Sequence, residues 1–258
     1  MIFVHKLYKK NTVFILENSK RRERNMTMQA EQKNKDIWIV IAAYNEENRI
    51  TQVIASLKEQ GYQNIVVVDD GSKDKTAAVA EQAGAAVLQH VINRGQGASL
   101  KTGMDFALQN NAEIIVTFDA DGQHQANEIV LLTKPIINGE VEASLGSRFL
   151  EKKSNVSWHR ELILKGGAGI IWLFYGIKLT DSHNGFRALK RDALQKLELK
   201  ADRMEHASEI LEQIAAKQIK YKEIPVTITY TDYSLQKGQS SLAAFGILWN
   251  MIKNKVLR

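Results

Sequence analysis

The segment TFDADGQHQ, residues 117–125, sets Asp119 and Asp121 one residue apart directly after the apolar run EIIV at 113–116. Two carboxylates this close raise each other's cost of ionisation, so the pattern calls for a positive partner. With Gln123 beside them, Asp119 and Asp121 are candidates to hold a hard divalent cation. Such an ion prefers oxygen ligands and shares its remaining positions with phosphate oxygens. A second doubled acid, Asp69 and Asp70 in DDGS (69–72), offers acceptors to base N–H groups or ribose hydroxyls. A third polar cluster is AAYNEE at 42–47. An Asp-Gly turn or a lone D-x-D has bland explanations; three such clusters together carry more weight. His124 is expected to be a solvated loop histidine rather than a ligand.

These clusters make a site only if the elements bearing them end side by side. IWIVIA (37–42) is a continuous apolar run, as expected of a strand covered on both faces. Ile50, Val53, Ile54 and Leu57 form a helical stripe. Asn45 is its expected cap, Glu46 and Glu47 suit its positive end, and Gly61 closes it. NIVVV (64–68) predicts a strand, followed by a helix to about Ala83 and a short strand at 85–88. A helix over 96–109, a strand over 113–118, a helix lined by Ile129, Leu132, Thr133 and Ile136, and a strand within 142–149 follow. Beyond that, residues 185–194 read as a strand turning into a helix. Met204, Ala207, Ile210, Leu211 and Ile214 share a helical face, and 219–230 alternates like a strand. Alternating strands and helices imply βαβ units and a parallel sheet. In such sheets ligands bind beyond the carboxyl ends of the strands, where all three clusters fall. NRGQG (93–97) is not a dinucleotide fingerprint: Leu100 stands in the third glycine's place and the loop follows the third strand. It is read as a loop ahead of a helix rather than a phosphate cradle.

The chain's 258 residues suit one large α/β domain or two small ones, and 44% hydrophobic with 25% charged residues is an ordinary soluble balance. There is no cysteine, so no disulfide or thiolate site exists. The net charge of +6 resides in residues 1–35, which carry nine basic and three acidic residues. The remainder is near neutral, which argues against a nucleic-acid surface. Residues 1–35 are expected to be a basic leader, disordered or preceding a true start at Met26 or Met28, with a weak anchor to anionic lipid as the sharper reading. No window reaches the ~18 apolar residues of a membrane span. The apolar, glycine-broken stretch 162–179 brings Trp172, Phe174 and Tyr175, which suit a membrane interface. Residues 242–258 form an apolar tail with a basic end, read as an interfacial helix, a docking helix or a dimer seam.

The ordered set VIAAYNEE, VVVDDGSKDKT, NRGQGASLKTG, FDADGQH, GSRF and HNGFRALKR resembles the family 2 glycosyltransferases. Within them it is most similar to the polyprenyl-phosphate sugar transferases of the dolichyl-phosphate mannose synthase type, over roughly residues 37–240. The resemblance implies an α/β GT-A fold, with a mostly parallel central sheet flanked by helices and the nucleotide site at the carboxyl ends of the strands, in a domain spanning 36–241. It also implies a UDP- or GDP-linked sugar donor, a Mg²⁺ or Mn²⁺ ion, inversion at the anomeric carbon, and a polyprenyl (undecaprenyl) phosphate acceptor in cell-surface glycan synthesis. The implied place is cytoplasmic, peripheral on the inner face of the membrane, as a homodimer or with a membrane partner protein.

By position, Ala42, Tyr44 and Glu46 match the nucleotide-contacting segment, and Asp69 and Asp70 the acids that meet base and ribose. Asp119, Asp121 and Gln123 match the metal and diphosphate site. Arg148 and Arg160 look like the arginines that grip the acceptor phosphate, Arg187 like the one near the diphosphate. KGQSS (237–241), with Lys237, resembles the late loop that closes near the donor phosphates. Two departures stand out: Gln96 occupies a position where lysine or leucine is common, and the paired transmembrane helices of some relatives are missing.

The chemistry implied is departure of a diphosphate whose growing charge is met by the cation, Arg187 and Lys237. A phosphate acceptor arrives ionised and needs positioning, which arginine's planar fork supplies. A sugar hydroxyl of a growing polysaccharide would instead need a base. Asp181 and Glu209 are the candidates, Glu209 being better read as a surface or cap acid. A sugar-1-phosphate nucleotidyltransferase would want a glycine-rich basic loop after the first strand, where AYNEE is acidic. A non-catalytic module binding membrane through the basic arm is the remaining alternative.

Overall fold

In the computed structural model the residues described are 36–151, 166, 168–169, 172–173, 176–182 and 184–229. The leader, Arg160, Phe174, Tyr175, Lys237 and the tail at 242–258 lie outside the described residues.

The apolar runs become strands β1 (Ile37–Ala43), β2 (Asn64–Asp69), β3 (Ala86–Gln89), β4 (Ile114–Asp119), β5 (Ala143–Ser147), β6 (Arg187–Lys190) and β7 (Tyr221–Pro225). Between them lie helices α1 (Ile50–Glu59), α2 (Thr76–Gln82), α3 (Gln96–Gln109), α4 (Ile129–Ile137), α5 (Arg191–Lys196) and α6 (His206–Ala216). One seven-stranded sheet holds all the strands in the order β3-β2-β1-β4-β6-β5-β7. Only β6 runs against its neighbours, pairing antiparallel with β4 and β5 while the other pairs are parallel. The expectation of a mostly parallel sheet therefore describes the fold.

Alternation of side chains along a strand sends successive residues to opposite faces. Ile37, Ile39 and Ile41 of β1 pack with Ile54 and Leu57 of α1 and with Ile129, Leu132 and Ile136 of α4. Val40 faces the other way, with Val66, Val68, Leu100, Met104 and the α6 residues Ile210 and Ile214. Both faces of the sheet are thus covered, which is why β1, β2 and β4 read as unbroken apolar runs. Each such side chain contributes about 1.5–3 kcal/mol through burial. These two cores hold the strand tips in place.

One expectation fails at the start of α1. Asn45 does not cap it: the helix begins at Ile50, and Asn45 has left-handed backbone (φ 54°). Its Oδ1 accepts from the Lys73 N–H at 2.8 Å and its own N–H donates to Ser72 Oγ at 2.9 Å. The neighbouring Glu46 N–H donates to Thr76 Oγ1 and Glu47 Oε2 accepts from the Lys75 N–H. The polar residues after β1 are therefore spent on latching that turn to the loop after β2, which a local capping rule does not anticipate.

NRGQG is a loop leading into α3, as expected, and its glycines serve packing. A Cβ on Gly97 would strike the carbonyl oxygen of Ala201, and one on Gly95 (φ 113°) that of Asp202. The Ala98 N–H donates to the same Asp202 carbonyl at 2.9 Å. Gly97→Ala is expected to push the 201–203 segment off α3 and to cost about 1–3 kcal/mol, as overpacking against rigid backbone does. Urea unfolding checks this; a variant as stable as the parent would contradict it.

Candidate active site

The sheet register builds the site. Ala43 at the end of β1 pairs with Asp69 of β2, and Ala42 pairs with Asp119 of β4. Acids from two strands thus flank the tip of β1, with the exposed Tyr44 and the buried Glu46 on the turn that follows.

Asp119 is the last residue of β4, and Asp121 lies just beyond it with Oδ1 accepting from the Gln123 N–H at 3.0 Å. Burial pushes both carboxyls up to about 6. The charge of Asp119 raises Asp121 further, and Glu46 raises both, while Arg148 and Arg187 pull Asp119 back down. For Asp119 the desolvation outweighs the pull of the two guanidinium groups. The Asp119 side chain keeps 31% of its surface exposed, so a ligand can reach it. Among the described residues no three acidic or histidine side chains form a closed metal cage. Two mutually repelling carboxylates at an open position fit a hard cation that takes its other oxygens from substrate or water.

The remaining predicted residues divide by what their polar atoms already touch. Asp69 accepts from the Ser72 backbone N–H at 3.2 Å and from the Ser72 hydroxyl. Asp70 is buried: Oδ1 accepts from the Arg94 N–H (3.0 Å) and lies 2.7 Å from His90 Nδ1, and Oδ2 accepts from the Gly95 N–H (2.7 Å). Burial raises the Asp70 carboxyl, but these hydrogen bonds outweigh it and hold it below its ordinary value. Asp70 thus fixes the NRGQG loop, whatever else it contacts. Gln96, at the start of α3, points its Nε2 to Asp119 Oδ1 at 3.4 Å.

Arg148 and Asp181 meet as a buried pair. Asp181 Oδ2 accepts from Arg148 Nε at 2.5 Å and from the Arg148 backbone N–H at 3.2 Å. Glu223 of β7 secures this pair from behind, its carboxylate accepting from the N–H groups of Thr180 and Asp181 and from the Thr180 hydroxyl. Beside it, a groove of ≈ 550 Å³ is lined by Trp172, Lys178, Leu179, Thr180 and Glu223. Trp172 and Leu173 are exposed. Arg187 is buried beneath the acids, donating to the carbonyls of Asn184 (3.0 Å) and Ala207 (3.2 Å); desolvation lowers its pKa to about 10. Glu209, within α6, accepts from the N–H groups of Lys200 and Ala201, so it ties down the loop ahead of that helix and does not cap it.

His124 corrects the sequence reading. It is 6% exposed, its ring stacked on Phe186 at 4.7 Å and edge-on to Phe118 at 5.2 Å. Burial lowers its pKa to about 4. Nothing local to DGQHQ marks it as buried: Phe186 lies 62 positions away in sequence, and the strand pairing that brings it close is long-range.

The seven-stranded α/β sheet flanked by helices is the fold of the GT-A glycosyltransferases, as comparison with solved structures and the family match show. The structure superposes on glucosyl-3-phosphoglycerate synthase from Mycobacterium tuberculosis with a TM-score of 0.64 at 19% identity, covering 83% of this chain and 78% of that one. The glycosyl transferase family 2 model matches residues 38–198, and the chain belongs to that family. A UDP-N-acetylglucosamine-dolichyl-phosphate N-acetylglucosaminyltransferase of Methanococcus voltae is 33% identical over 244 residues, spanning 86% of this chain and 97% of the relative. A polyprenol monophosphomannose synthase of Mycolicibacterium smegmatis is 28% identical over 225 residues, spanning 83% and 84%.

The acid pair gives a signed pH dependence. Folding raises both carboxyls above their ordinary 3.8, so the folded chain holds protons that the unfolded chain releases. The resulting penalty is full above about pH 6 and fades as pH falls from there toward 3.8. Asp121→Asn is expected to raise the thermal unfolding midpoint in chelator by several degrees at pH 8 and by progressively less in more acidic buffer. A gain independent of pH would contradict the assignment.

Proposed function

We propose that this glycosyltransferase moves a sugar, with inversion, from a nucleotide diphosphate to a polyprenyl phosphate on the inner face of the membrane. The observation that carries this reading is the half-exposed, mutually repelling Asp119–Asp121 pair at the tip of β4, flanked by Asp69 across β1. The donor is a UDP- or GDP-linked sugar. UDP-N-acetylglucosamine is the first to test, because the Methanococcus voltae relative is named for that donor. In the proposed arrangement Ala42, Tyr44, Glu46, Asp69 and Asp70 line the nucleotide, and Asp119, Asp121 and Gln123 face the diphosphate. A Mg²⁺ or Mn²⁺ ion held by Asp119 and Asp121 would supply the positive charge that stabilises the departing nucleotide; the M. tuberculosis fold neighbour was crystallised with Mn²⁺ and UDP.

Arg187, buried behind Asp119, adds fixed positive potential, and Lys237 is assigned to the closing loop. Arg148 and Arg160 are assigned to the acceptor phosphate, with Arg148 anchored by Asp181. Fixing one face of the guanidinium pre-orients it, so less freedom is lost when an anion arrives.

The acceptor chemistry follows from the same pair. A hydroxyl acceptor needs a general base, and the candidate, Asp181, already accepts two hydrogen bonds from Arg148. A phosphate acceptor is anionic at neutral pH and dispenses with the base. The exposed Trp172 and Leu173, beside a groove that reaches Thr180, support an approach from a lipid surface. Among the described residues no helix is long and apolar enough to cross a membrane.

Asp121→Ala is expected to lower metal-dependent nucleotide release, and formation of a lipid-linked sugar from undecaprenyl phosphate, by about 10³-fold or more. A panel of UDP- and GDP-sugars with Mn²⁺, scored for both products, provides the measurement. Turnover equal to the parent's would rule the site out.

A further inference from the structure

We infer that Glu223 is a positioning residue for the acceptor: it sets the 180–181 loop so that Asp181 aims Arg148 at a lipid phosphate. This rests on the reading of Arg148 as an acceptor-phosphate residue. Glu223 lies on β7, the last strand in the sheet order, and pairs with Leu145 of β5. Its carboxylate accepts from the Thr180 N–H at 2.8 and 2.9 Å, from the Thr180 hydroxyl at 3.0 Å and from the Asp181 N–H at 3.2 Å. One carboxylate thereby fixes two successive peptide planes. Hydrogen bonds to a charged acceptor are roughly twice as strong as neutral ones.

The same carboxylate also holds Arg148 from the side of β5. The Phe149 N–H donates to Ser147 Oγ at 3.2 Å, and Ser147 Oγ lies 2.6 Å from Thr180 Oγ1. The Thr180 hydroxyl has one proton and gives it to Glu223, so the Ser147 hydroxyl is the donor to Thr180. The donors run one way, from Phe149 through Ser147 and Thr180, and end on Glu223. Arg148 sits between Ser147 and Phe149, and Asp181 Oδ2 takes its Nε and its backbone N–H at 2.5 and 3.2 Å. Glu223 thus stands behind both members of the pair. Two residues back, on the same face of β7, the Tyr221 hydroxyl donates to the Lys178 carbonyl at 3.1 Å, a second tie from this strand to the loop.

A carboxylate suits this place because every group that faces it is a donor. A glutamine offers one acceptor oxygen and turns an NH₂ group toward N–H donors. Among the described residues the hydrogen bonds of Glu223 go to Thr180 and Asp181 alone, so it bears on the Arg148–Asp181 pair and not on Asp119 or Asp121. Misplacing a positioned group by about 1 Å costs on the order of 10²-fold in rate.

Steady-state kinetics with undecaprenyl phosphate, Mn²⁺ and the nucleotide sugar that the parent turns over test the inference. Glu223→Gln keeps the size of the side chain and is expected to lower kcat/KM for undecaprenyl phosphate about 10–100-fold, chiefly through KM. Its hydrolysis of the donor without acceptor is expected to stay within about twofold of the parent's. Thr180→Val, which removes the hydroxyl link, is expected to move the acceptor KM in the same direction, and it decides the matter if Glu223→Gln does not fold. Added to Arg148→Ala, Glu223→Gln is expected to cost no more than about twofold further, because it acts through that residue. Equal loss of donor hydrolysis and acceptor use in folded Glu223→Gln would mark a purely structural role and overturn the inference. An acceptor KM within about twofold of the parent's, or losses that multiply in the double variant, would overturn it as well. A parent that uses no nucleotide sugar with undecaprenyl phosphate would instead overturn the acceptor reading beneath it.

Discussion

Negative charge gathered at the end of buried parallel strands is the constraint around which this molecule is built. Asp119 is carried on β4, whose Ile114 to Phe118 are buried, so its main chain cannot move without disturbing both cores. The register then places Asp69 one strand away from it, on the far side of β1. Such charge is costly in the free protein, and burial drives the acid pair upward toward neutrality. A protein keeps such an arrangement where a ligand repays it, and a cation with a diphosphate is the ligand whose charges match.

Around this point the fold supplies supports that are individually ordinary. The turn after β1 is stitched to the loop after β2 through Asn45, Glu46 and Glu47. Asp70 ties the NRGQG loop to β2, and the 201–203 segment packs on its glycines. Glu223 holds the 180–181 loop, which holds Arg148 through Asp181. Among the described residues, each of these loops is fixed to another loop or to a strand of the same sheet. A preorganised site of this kind does not have to reorganise as charge develops on a leaving group.

Much of this was legible in the sequence, for identifiable reasons. Strands buried on both faces announce themselves as apolar runs, and α1, α3 and α4 show a 3.6-residue stripe, so the sheet and the clustering of acids at its edge follow from pattern alone. What escaped depends on contacts between distant segments. Asn45 carries the chemistry of a helix cap, yet it is drawn to Lys73, 28 positions on. His124 sits in a polar loop, yet Phe186 and Ile228 bury it. The pairing of Arg148 with Asp181 joins residues 33 apart that no local rule connects. Sequence periodicity reports which face a residue occupies; it does not report which polar partner arrives from elsewhere in the fold.

The most direct measurement is the anomalous difference map, at the manganese edge, of a crystal holding Mn²⁺ and a nucleotide-diphosphate sugar. The account predicts a peak within bonding distance of the Asp119–Asp121 carboxylates and of a diphosphate oxygen, with the nucleoside toward Asp69. An ion and ligand bound elsewhere, with both carboxylates facing bulk water, would contradict it.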